Sequence, residues 1–193
     1  MLHRSAIRTR VLLSAATVIA AGVALGDDTF SGYLCCNMRT DGSWISDINY
    51  DESGKTMIPA GTPVKVLGYG RYRVKVEIAG KKQAIGNDYS RNLPLDVFAK
   101  RYVVADNPAD KLSQYPERIR AAITSARLVK GMTREQVLMA VGYPVSSENA
   151  HLEDKVWRFW LSSFAEFRVR FDDQQLVSDV EAEPDTRDKV LMQ

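Results

Sequence analysis

Histidine is almost missing from this chain of 193 residues, which holds only His3 and His151. Zinc sites are built from several imidazole or thiolate ligands at fixed spacing. Two distant histidines and two adjacent cysteines cannot supply that set, and no catalytic residue, metal ligand or cofactor is assigned. Excess charge is missing as well. The formal net charge is +2, but Arg4, Arg8 and Arg10 lie in a segment that reads as removable, and without them 23 basic residues face 24 acidic ones. A nucleic-acid binder needs clustered positive charge to exchange for phosphate counterions, so that class of partner is excluded. Long apolar runs are scarce too. The run from Val11 to Leu25 is about 15 residues, short of the roughly 20 that span a bilayer as a helix.

What is present is an ordinary globular composition, 45% apolar and 26% charged, enough for one fair-sized domain or two small ones. Residues 1–26 combine a basic start, the apolar run and the small residues Ala24 and Gly26, the layout of an export signal cut before Asp27. The expected location is periplasmic or secreted, without a lipid anchor. An oxidising compartment gives weight to Cys35 and Cys36. Adjacent α-carbons lie about 3.8 Å apart, below the usual disulfide window of roughly 4.4 to 6.8 Å, so a bond between them would be strained. Two buried small hydrophobes, a vicinal disulfide and a lipidated Cys35 all remain open, although Tyr33 and Leu34 stand where a lipidation site needs small residues.

Residues 27–107 read as a β module. Asp41-Gly42 and Pro59-Ala60-Gly61-Thr62-Pro63 are turns, with a strand carrying Val64, Val66 and Leu67 after the second. Tyr72, Val74, Val76 and Ile78 then alternate with Arg71, Arg73, Lys75 and Glu77, the period of a sheet with one buried face. The basic row reads as a solvated strand face. Ala79-Gly80-Lys81 turns the chain into Gln83 to Ile85, and short strands in quick succession predict a small barrel. Gly68-Tyr69-Gly70 lacks the further glycines and helix start of a nucleotide loop.

Asp106-Asn107-Pro108 marks a seam, and residues 108–182 read as an α+β module. Pro116 suits a first helical turn, followed by a face of Ile119, Ala122, Ile123 and Ala126. A second helix over 134–141 is specified at both ends: Thr133 and Gln136 form a capping box, Met132 and Val137 a hydrophobic staple, Gly142 a left-handed cap and Pro144 a stop. Three strands follow. Turn geometry sets Trp157 against Val169, Phe159 against Phe167 and Leu161 against Ala165, then Phe171 against Leu176 and Phe167 against Val180, on a face the helices should cover. The opposite face carries Arg158, Trp160, Glu166, Arg168, Arg170, Val177 and Asp179. Trp and Arg are enriched at the energetic centres of interfaces, which makes Arg158, Trp160, Glu166, Arg168 and Arg170 the candidate partner-binding residues. The competing reading has Trp160 covered by the first module and Arg168 paired with Asp179. Residues 183–193 are polar, contain Pro184 and read as a mobile tail.

Gly131-Met132-Thr133, Glu135-Gln136-Val137 and Gly142-Tyr143-Pro144, followed by Trp157-Arg158-Phe159 and the strands from Phe167 to Val180, resemble the SmpA/OmlA domain. This BamE-like domain occurs in small outer-membrane lipoproteins, and its two-helix, three-strand layout is shared by repeats of the secreted beta-lactamase inhibitor proteins. The likeness covers about residues 115–181. The first module resembles a bacterial SH3-like barrel through its strand pattern. Together these imply an α+β chain, an SH3-like β-barrel followed by a BamE-like two-helix, three-stranded antiparallel domain. They also imply a non-enzymatic cell-envelope protein that binds another protein in outer-membrane assembly or envelope maintenance. Association with the outer membrane or with peptidoglycan fits the same picture, with Trp44, Tyr69 and Tyr72 lining a groove or filling the barrel core.

Two alternatives stand beside it. One is an inhibitor of a secreted hydrolase. The other is a thiol enzyme using Cys35 or Cys36 with His151, which needs a base within hydrogen-bonding reach of the thiol. His151 sits in a polar loop of the other module, and Asp172-Asp173 reads as a turn former.

Overall fold

The structure is a computed structural model and describes residues 29–193. The export-signal reading lies outside the described residues. Two sheets organise the chain. The first is a curled, mixed half-barrel of eight strands: β1 (Ser31–Leu34), β2 (Met38–Thr40), β3 (Trp44–Ser46), β4 (Thr56–Ile58), β5 (Pro63–Tyr69), β6 (Arg73–Ile78), β7 (Lys81–Gly86) and β8 (Val103–Val104), in the order β4-β2-β3-β7-β6-β5-β1-β8. All neighbours are antiparallel except β3 and β7, which run parallel. Val64, Val66, Val74, Val76, Ile78 and Ile85 point into its core, as the period of two requires. Tyr72 leaves that row: it precedes β6 and is exposed.

Helix α1 (Leu95–Tyr102) closes the half-barrel where the sequence pattern read as strand. Pro94 sets the chain direction into the helix, and Phe98, Ala99 and Tyr102, at spacings of one, three and four, form its buried face. The second half then begins at Asn107, whose side chain accepts from Ala109 N to cap α2 (Pro108–Gln114). Helix α3 (Glu117–Thr124) buries Ala122 and Ile123. Helix α4 (Arg134–Val141) has the anticipated bounds and a complete capping box between Thr133 and Gln136.

The three-stranded antiparallel sheet has the order β11-β10-β9, from β9 (Val156–Ser162), β10 (Ala165–Phe171) and β11 (Val177–Ala182). Trp157 faces Val169 and Phe159 faces Phe167, as expected, and all four join α3 and α4 in one core. Two details differ. A bulge at Ala165/Glu166 pairs Ala165 with Ser162 instead of Leu161, and one at Arg170/Phe171 sets Val180 opposite Val169. The second bulge places Phe171 against Val177, so Val177 is buried and leaves the outer face.

The tail is not loose. Pro184–Val190 form helix α5, which buries Thr186 and Val190, and Leu128 N donates to Val190 O at 2.8 Å. Arg127 ties down its end by donating to the carbonyls of Asp188 and Leu191. No helix among the described residues is long and apolar enough to cross a membrane.

The two halves are joined through two buried asparagines of the first. A helix leaves its last four carbonyls without intrahelical partners. In α4, Leu138 O accepts from Gly142 N (2.8 Å), Met139 O from Asn37 N (3.0 Å), Ala140 O from Asn37 Nδ2 (3.1 Å) and Val141 O from Asn49 Nδ2 (2.9 Å). Asn37 Nδ2 also donates to Ile123 O of α3 at 2.5 Å, and its Oδ1 accepts from Ala60 N. Asn49 holds φ 58°, a left-handed conformation that asparagine tolerates. Gly142 is at φ 87°, and a Cβ there would lie 3.3 Å from Asn49 Nδ2. Glycine at this position supplies both the turn and the room for the clasp.

Candidate functional site

The outer face of the three-stranded sheet is open. Alternation along β9 and β10 sends Trp157, Phe159, Phe167 and Val169 inward, which turns Arg158, Trp160, Glu166, Arg168 and Arg170 outward. Arg168 and Arg170 are exposed, and Arg158, Trp160 and Glu166 are half-buried. The Arg158 guanidinium lies 4.7 Å from the centre of the Trp160 ring, while Trp160 Nε1 donates to Glu148 Oε2 at 2.8 Å. Arg158 pairs with Glu166, and Arg168 donates to the other Glu166 oxygen at 3.0 Å. Arg170 pairs with Glu181. The expected Arg168–Asp179 pair is absent because Arg168 lies opposite Glu181 and Asp179 opposite Arg170. Asp179 is held instead by Arg187 (3.1 Å) and Lys130 (3.2 Å), which keep its carboxyl below the usual range, the Arg187 hydrogen bond foremost.

The structure thus brings all five predicted residues onto one surface as a row of alternating charge around a tryptophan. It adds Glu148, Glu181 and Phe164. Phe164 is 99% exposed at the tip of the β9–β10 hairpin, beside a shallow hollow that also touches Glu166, Arg168 and Glu181. Hairpin turns favour small and polar residues, so an unsupported phenylalanine there is out of place on stability grounds. Sequence reasoning passed over it by treating Ser162-Ser163-Phe164 as a connection only.

A second surface lies on the half-barrel. Trp44, Ser46, Tyr50, Asp88, Tyr89 and Arg91 line an open groove. Tyr89 and Tyr72 are exposed, Trp44 is half-buried, and Tyr69 packs against the half-barrel core. Its loop is pinned from below by Asp47, whose carboxylate accepts from Tyr89 N (3.1 Å) and Asp88 N (3.2 Å). Burial pushes the Asp47 carboxyl up to about 6 in spite of those donors. Ser90 and Asn92 of the same loop meet Ser146 of the second half.

A third feature is a cleft of 260 Å³ at the seam, lined by Cys35, Val104, Lys111, Glu135, Leu138 and Tyr143 among others. Cys35 and Cys36 are joined as a vicinal disulfide, so the vicinal-bond reading is the one observed. Neither sulfur is a free thiol in this state, and His151 does not line the cleft. The pairing that thiol catalysis would need is therefore not assembled here. Among the described residues no group of three or more His, Cys, Asp or Glu side chains is placed to hold a metal ion. Comparison with protein-family models, curated proteins and solved structures finds no match.

Proposed function

We propose that this is a non-enzymatic protein of the bacterial cell envelope that binds another protein through the outer face of its three-stranded sheet. Its halves are read as an SH3-like module and a BamE-like module. The observation that carries the reading is the half-buried Arg158–Trp160 stack on a sheet whose hairpin tip carries the exposed Phe164, two aromatic side chains and a guanidinium of the kind in which interfaces concentrate their energy. The paired charges around it suit a rim that orients a partner and contributes little affinity of its own. The partner is an envelope protein, and outer-membrane assembly or maintenance is the setting the sequence likeness suggests.

The test places a photo-crosslinking side chain at Phe164 or Arg168 in intact cells, with Tyr72 of the half-barrel as the control position. A single recurrent adduct from the first two sites and none from Tyr72 is the expected result. Replacing Trp160 and Arg168 together by alanine should weaken the isolated complex by about 30-fold or more, at roughly 2 kcal/mol or above for a lost anchor. Equal crosslinking from Tyr72, or undiminished binding by the double variant, sinks the reading. A projecting Phe164 also fits a tip that enters the cleft of a secreted hydrolase. That inhibitor version predicts that Phe164→Ala alone abolishes the effect on the hydrolase.

A further inference from the structure

The Cys35–Cys36 bond has a position that none of the preceding functions uses. Cys35 N donates to Tyr102 O at 2.9 Å, inside the first half, while the next residue but one, Asn37, donates its own N–H to Met139 O of α4. The disulfide therefore sits in the short stretch of backbone between an anchor in one half and the clasp to the other. Closing a ring through neighbouring side chains restricts the torsions of the Cys35 to Cys36 link, and opening it returns that freedom beside Asn37. The two sulfurs differ in access. Cys35 is half-buried and lines the seam cleft, whereas Cys36 is 0% exposed and packs in the half-barrel core.

We propose that the Cys35–Cys36 disulfide is a thiol-exchange site, reached through the seam cleft, at which a dithiol opens the bond and slackens the asparagine clasp between the two halves. The incoming thiolate attacks Cys35 Sγ, the sulfur–sulfur bond breaks and Cys36 leaves with the electron pair, taking up a proton. The second thiol of the reagent, as thiolate, then displaces Cys35, which is protonated in turn. The chain ends with two thiols, and the dithiol ends as a disulfide. A thiolate is disfavoured in apolar surroundings, so Cys36 is a slow leaving group. That property suits a stoichiometric switch and not a turning-over oxidoreductase. The cleft admits a small thiol, with the Lys111 ammonium at its wall paired to Glu135 at 2.5 Å.

The test uses the intact chain under native conditions. Dithiothreitol is added, thiols are alkylated and located by mass spectrometry, and amide exchange is followed in parallel. Two new thiols in a chain that remains folded, with exchange at Asn37 and Ala60 faster by roughly tenfold, is the expected outcome. Glutathione, a monothiol, should leave its adduct on Cys35 alone. A Cys35→Ala/Cys36→Ala variant should show the faster exchange and no response to dithiol. If that variant does not fold, reduction of the native chain decides by itself. Thiols that appear only at denaturing concentrations, an adduct on Cys36, or unchanged exchange at the seam after reduction would each overturn the proposal. None of these readouts involves the outer sheet face.

Discussion

The seam between the halves and the outer face of the three-stranded sheet both rely on polar side chains, but in opposite ways. At the seam, Asn37 and Asn49 are buried, and their side chains meet backbone groups, among them the carbonyls of Ala140 and Val141 at the open end of α4. On the outer face, Arg158, Glu166, Arg168, Arg170 and Glu181 form pairs at 34% to 50% side-chain exposure, where water substitutes readily. Removing a buried partner costs the desolvation of whatever it leaves behind, while an exposed pair is worth little. The difference assigns architecture to the seam and leaves the outer face free to change for a partner.

Asn37→Ala should show the largest effect. It strands Ala140 O and Ala60 N in the interior and removes one of the donors to Ile123 O, and at roughly 1 to 3 kcal/mol per unsatisfied group the chain loses about 2 to 6 kcal/mol by urea denaturation. A loss below 1 kcal/mol would erase the contrast between the two regions.

Asp47 sharpens it through pH. Its folded carboxyl sits near 6, above the ordinary 3.8, so the folded state holds the proton more tightly than the unfolded state does. The group's contribution is fully present below about pH 3.8 and is lost as pH rises through 6. Two pKa units amount to roughly 3 kcal/mol. Asp47→Asn should remove that slope, so that the variant's stability changes less than the native chain's between pH 4 and pH 7. An unchanged slope would mean that Asp47 is not the titrating group. On the outer face, Arg168→Ala with Arg170→Ala should move stability by less than about 1 kcal/mol. A larger drop would show that the charge row holds the sheet together.

Legibility in the sequence followed the range of the chemistry. Helix α4 could be read to the residue because its capping box, staple and glycine stop all lie within a dozen positions. The Trp157–Val169 and Phe159–Phe167 pairs could be read because one tight turn fixes them. The β10–β11 register could not, since nothing local announces the bulge at Arg170/Phe171. Helix α1 was masked by Val97, Val103 and Val104, whose β-branched side chains suggest a strand until the half-barrel core offers Phe98 and Tyr102 a site. Helix α5 looked like a polar tail because its anchoring Arg127 is more than sixty positions earlier. The five residues of the outer face followed from alternation alone, whereas Phe164 needed coordinates to show that nothing covers it.

The clasp also orders events during the chain's synthesis. Asn37 reaches Ala140 across 103 positions, so a polypeptide made from its amino end carries Asn37 long before its acceptor exists. The early half-barrel must wait, its amides served by solvent, until the later helix has been polymerised. Neither half is finished alone, and a product truncated before residue 140 would keep a soft, hydrated edge where the helix end belongs.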